Sequence, residues 1–104
     1  MNRIEQLENL LAKGQDNALL RFGLGTACLQ AGESARAVEH LRVAVRHDPA
    51  YSAAWKALGK ALTETGQIEA AGEAYEAGIR AAEAKGDVQA AKEMKVFLNR
   101  LHKR

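Results

Sequence analysis

The chain has 104 residues and a formal net charge of +2, enough for one domain with its own core and too balanced for polyanion binding by charge alone. A single cysteine, Cys28, excludes an internal disulfide and fits a reducing cytoplasm, and no apolar run approaches the ~20 residues of a membrane span. Alanine and leucine are abundant, proline occurs once, and no alternating run suggests a strand, so the composition is helix-forming. In chain order, Gly14, Gly32, Asp48-Pro49, Gly66 and Gly86 punctuate the sequence. The segments between them predict helices near 2–13, 17–31, 34–47, 50–65, 68–85 and 87–102. Gly32 and Gly66 suit left-handed stops, Ser34 is placed to cap the third helix, and Asp48-Pro49 to start the fourth. The opening segment is amphipathic and carries Glu5 and Glu8, unlike a signal peptide.

Gly32 and Gly66 are 34 residues apart, and laying 18–51 over 52–85 tests a repeat. Leu24-Gly25 falls on Leu58-Gly59, Ala37 on Ala71, Glu39 on Glu73, Leu41 on Tyr75 and Arg46 on Arg80. A helix–turn–helix unit at this period is the mark of a solenoid. The small residues at Gly25, Gly59, Ala37 and Ala71 let helix axes approach to about 8–10 Å, with the large ones filling in around them.

The second unit reads Trp55, Leu58-Gly59, Leu62, Gly66, Ala71, Tyr75 and Gly78, and it resembles the tetratricopeptide repeat (TPR). That resemblance covers 18–85 and implies an all-α, right-handed superhelix of about six antiparallel helices. Arg21 stands where the first repeat's aromatic wedge belongs, with Phe22 the neighbour that could rotate into its place, and Glu83 stands where the second repeat's closing proline belongs. The ends read as half repeats. Leu7 and Leu10 fall on Leu41 and Ala44, whereas Lys92 and Glu93 fall on Leu58 and Gly59 and suggest a charged, solvating cap. The expected division is therefore 1–17 half repeat, 18–51 repeat one, 52–85 repeat two and 86–104 capping helix, within one domain.

The resemblance also implies that the first helix of each pair lines a concave groove. By offset within the repeat this places Leu19, Phe22, Thr26 and Leu29, then Ala53, Lys56, Lys60 and Thr63, then Met94 and Phe97 in the groove. A helix of ~14 residues is about 20 Å long, which matches an extended peptide of roughly six residues or one helix. Lys56 and Lys60 share a helical face, where either solvent or a partner's carboxylate or phosphate relieves their repulsion. Phe22 is an anchor for an apolar side chain or packs on helix one against Leu11, and Met94 and Phe97 equally suit the core of the cap helix. Trp55 reads as structural, filling the wedge between successive helices. Relatives that grip heat-shock chaperone tails use a lysine and an asparagine on one helix. Here Lys56 fits, but Lys60 replaces the asparagine and Ala91 stands where a further one belongs, so that clamp is not expected.

Catalysis, metals and cofactors are not expected. Cys28 neighbours the core positions Leu24 and Gly25, and His40 and His47 lack a third ligand at metal spacing. Gly23 and Gly25 follow no strand and so make no phosphate loop. From Lys92 onward five basic residues face only Glu93, so a polyanion or nucleic-acid contact through the last helix is the first rival. Basic residues also favour helix C-termini, which disfavours nucleic acid. A self-associating subunit, with a second copy as the occupant, is the other rival. The expected function is a non-catalytic adaptor or scaffold that binds a protein or peptide, an acidic one among the candidates.

Overall fold

The six segments between the turns become six helices in a computed structural model that describes residues 2–103. They are α1 (Arg3–Ala12), α2 (Ala18–Gln30), α3 (Ser34–His47), α4 (Ser52–Glu64), α5 (Ile68–Ala84) and α6 (Val88–His102). There is no strand among the described residues. Helices α2 and α3 form one antiparallel hairpin and α4 and α5 a second, with α1 packed on α2 and α6 on α5. Helix α4 also touches both α2 and α6, so these three stand side by side along one face. The stack measures 40 × 29 × 18 Å, the elongated shape of an all-α solenoid.

The turns inside the hairpins follow from glycine. Gly32 and Gly66 have φ of +77° and +80°, a region that side chains with a Cβ rarely enter. There the Glu33 amide reaches back to the Cys28 carbonyl and the Gln67 amide to that of Leu62, both at 2.8 Å. These bonds satisfy carbonyls that the ending helix leaves free. Two expected starts differ. Ser34 is not the cap of α3: Glu33 holds that place without a side-chain bond, and the Ser34 hydroxyl donates to Glu64 at 3.5 Å. The turn after Gly32 runs straight into α3, which leaves Glu33 at ψ 65° and not extended. Helix α4 begins at Ser52, not at Pro49. Asp48 closes α3 and accepts the Ala50 amide at 3.1 Å, so Asp48-Pro49 makes a turn before the helix. Side-chain caps occur instead at Asn2, Asn17 and Asp87.

The hairpins close on glycine notches. A Cβ at Gly25 would collide with the Leu41 side chain, and one at Gly59 would lie 2.5 Å from the Tyr75 ring. Ala37 and Ala71 are fully buried beside these notches. Gly78 repeats the device on α5, where Met94 of α6 and the Trp55 Cβ leave no room for a side chain. No helix among the described residues is long and apolar enough to cross a membrane.

Candidate functional site

The face shared by α2, α4 and α6 holds a cleft of ≈ 650 Å³. Phe22, Thr26 and Leu29 come from α2, and Ala53, Lys56, Lys60 and Thr63 from α4. Tyr75 forms its floor from α5 and Phe97 one wall from α6. Aromatic pairs fix this surface. Phe22 lies against Tyr51 with ring centroids 4.9 Å apart, and Tyr75 against Phe97 at 5.7 Å. The Arg100 guanidinium sits over Phe97, 5.7 Å from the ring centroid. Burial pushes the Tyr75 phenol up, partly offset by the nearby Thr63 hydroxyl.

Two residues expected in the groove lie elsewhere. Met94 is fully buried and fills the notch at Gly78, so it belongs to the core under the cap helix. Leu19 stands outside the cleft and is 72% exposed. It lies in the first turn of α2, and α2 is the first helix of the inner row, so nothing stands across from it. Phe22 lines the cleft and does not rotate into the wedge. Arg21 keeps that place, its guanidinium donating to both carboxylate oxygens of Asp16 at 2.8 and 2.9 Å. The expected lysine pair is also altered. The Lys56 ammonium donates to Glu93 at 3.0 Å, so a carboxylate of this chain itself takes the place left open to solvent or a partner. Glu93 therefore turns inward, and only Lys92 of that pair on the cap helix is fully exposed. Lys60 has no carboxylate within ion-pair distance among the described residues.

Tyr75, Ala57, Gln30 and Glu64 also line the cleft and escaped the sequence reading. The repeat pattern accounts for Tyr75 through the hairpin contact at Gly59, and its ring serves both places. The other three lie on α2 and α4 one residue from an expected groove position. The width of the cleft, more than its axis, brings them in.

Models of the tetratricopeptide repeat match residues 30–94 and 4–52. This chain belongs to the tetratricopeptide repeat family. A TPR repeat-containing protein of Pseudomonas aeruginosa is 56% identical over 98 residues, 94% of this chain and 93% of that protein. The solution structure of a Bordetella parapertussis protein superposes with a TM-score of 0.83 at 46% identity, covering 99% of this chain and 90% of its own. The Sgt2 TPR domain of Aspergillus fumigatus gives 0.80 at 30% identity, covering 96% and 64%. MamA gives 0.70 at 24%, covering 96% and 67%, and bears on the fold alone.

Within the TPR frame the thiol and the two histidines of α3 are set by their surroundings. Cys28 is fully buried, and burial pushes its thiol up, away from the thiolate that nucleophilic attack needs. His40 and His47 each have a partner: the His40 Nδ1 lies 3.1 Å from the Arg21 guanidinium, and the His47 Nε2 3.1 Å from Asp16. TPR proteins generally serve as protein-interaction modules, and the cleft places apolar rings beside Lys60, which has no ion-pair partner among the described residues.

Proposed function

We propose that the chain is a non-catalytic scaffold that holds a peptide or a helix of another protein in the cleft between α2 and α6. The division into a leading half repeat, two full repeats and a capping helix is part of this reading. One observation carries it: the two aromatic pairs, Phe22–Tyr51 and Tyr75–Phe97, hold an apolar floor in place with Lys60 at its edge. A receptor packed in this way loses little entropy when a ligand docks. The ligand that fits has one or two apolar side chains for the floor and an acidic residue for Lys60. The basic end of α6 supports the polyanion reading less than its count of charges suggests, because Lys95 pairs with Glu83 and Arg100 covers Phe97.

The test is selection from a random peptide library on the wild-type protein. Selected peptides should combine an apolar or aromatic residue with an acidic one, and Phe22→Ala should weaken them at least ~10-fold, about the ~1.4 kcal/mol expected on removing an anchor. Undiminished binding to Phe22→Ala and Lys60→Glu, with helicity intact by circular dichroism, would move the site off this face.

A further inference from the structure

A second recess lies away from the groove and shares no lining residue with it. It is a crevice of ≈ 640 Å³ between the turn before α4 and the last turns of α5. Pro49, Ala50, Trp55, Ala81, Arg80 and Lys85 define it. The repeat itself shows what such a place can hold. One period earlier, Asp16 stands at the position of Ala50, Arg21 at that of Trp55 and His47 at that of Ala81. Those three residues fill the equivalent space with a held carboxylate: Arg21 grips Asp16 through two nitrogens, and His47 closes on it at 3.1 Å. Repeat two has lost both the acid and the imidazole to alanine, and the space is open.

The Arg21 guanidinium is replaced as well, by the Trp55 indole, and the cations that line the crevice come from other positions of the repeat. Arg80 stands on the last turns of α5 and Lys85 follows its end, and neither pairs with a carboxylate among the described residues. The carbonyl ends of α3 and α5 bring partial negative charge to both places, which disfavours an anion unless cations offset it. Arg21 does so in repeat one, and Arg80 and Lys85 line the crevice and are placed to do so in repeat two. The Trp55 indole N–H is committed to the Pro49 carbonyl at 2.7 Å, so the indole offers the crevice hydrocarbon and no donor. A methylene against the indole and a carboxylate between the cations match an aspartate or glutamate side chain. Asp16 of a second copy is not the occupant, because its own Arg21 and His47 already hold it.

We propose that this crevice is a second docking point, taking an acidic side chain from an extended segment of a partner protein in the place that Asp16 fills internally in repeat one. The probe is an acetylated and amidated peptide with the sequence of residues 14–18, Gly-Gln-Asp-Asn-Ala, titrated into the ¹⁵N-labelled chain. The Trp55 indole signal and the Arg80 and Lys85 amides should shift, with Kd on the order of 1 mM. The same peptide with asparagine for aspartate should bind at least ~5-fold more weakly, because a charge-assisted pair is lost. Filling the crevice as repeat one does, with Ala50→Asp and Ala81→His, should abolish the shifts while the helical spectrum stays. Equal shifts from the asparagine peptide would overturn the proposal. So would no shift at ~10 mM peptide, shifts confined to Lys60 and Phe97, or inorganic phosphate displacing these signals when the peptide does not.

Discussion

The two repeats share one backbone plan and join their neighbours by different chemistry. In repeat two the junction is aromatic: Trp55 spans from the Pro49 carbonyl to the Gly78 notch. In repeat one the same slot holds Arg21, tied to Asp16 and touching His40. The hairpin notches differ as well, with Leu41 over Gly25 and Tyr75 over Gly59. The helix positions are therefore set by where the chain has no side chain, while the filler on the other side is free to vary. What varies with it is sensitivity to solvent. An indole junction responds little to salt or acid, and an ionic one responds to both.

The largest effects should come from the notches. Gly59→Leu and Gly25→Leu each overpack a hairpin, at roughly 1–3 kcal/mol in urea unfolding. Gly59 should lie at the high end, because a flat ring cannot turn aside as Leu41 can. A larger loss at Gly25 would show that repeat one, not repeat two, is the rigid half. Next comes the wedge. Trp55→Ala should lose about 2–3 kcal/mol, below the value for a wholly buried tryptophan because this one is only partly buried. Arg21→Ala should lose less, and in ~1 M salt its effect should shrink while that of Trp55→Ala persists. Equal salt dependence at the two sites would erase the distinction between the junctions.

Acid should separate the repeats further. Burial, with Arg21 as the next cause, pushes the His40 imidazole down from its ordinary 6.5, and Arg36 also opposes the charged ring while Glu8 and Glu39 favour it. The unfolded chain then binds the proton first as pH falls below 6.5, so stability drops from that point until the folded state also takes up the proton. The Arg21 guanidinium holds the Asp16 carboxyl well below its ordinary 3.8, so this contribution is complete above that value and lost as pH falls further. Melting curves from pH 8 to pH 5 should show the first loss, and His40→Gln should flatten it. An unchanged slope in that variant would remove His40 from the account.

The sequence carried the helices and the repeat because both rest on local rules: glycines at the turns, and large and small residues returning after one period. It carried much of the cleft for the same reason, since Phe22, Thr26, Leu29, Lys56, Lys60, Thr63 and Phe97 share one offset face. The repeat offset places Met94 on the groove face while the cap-helix core suits it equally, and only the notch at Gly78 shows how deeply that side chain enters. The sequence missed Glu93 against Lys56 because that pair joins residues of α4 and α6 that no helical period links. Ser34 and Asp48 show the same limit at smaller scale: a residue type suited to a cap does not reveal which residue the incoming turn delivers there.

The smallest effect on stability carries the sharpest information about the cleft. Lys56 falls one period after Phe22, so the groove is apolar on its repeat-one side and basic on its repeat-two side. Lys56 is held by Glu93, and both side chains are 41% exposed. Glu93→Gln should therefore lower stability by only ~0.2–1 kcal/mol at low salt. The same change frees the Lys56 ammonium beside Lys60, and an acidic ligand should then bind more tightly. Glu93 would act as an internal competitor, and Glu93→Gln should raise affinity for acidic peptides without altering that for neutral ones. A uniform change for both kinds of peptide would assign Glu93 to holding α6 against α4, and the division of the groove into an apolar and a basic half would lose its functional meaning.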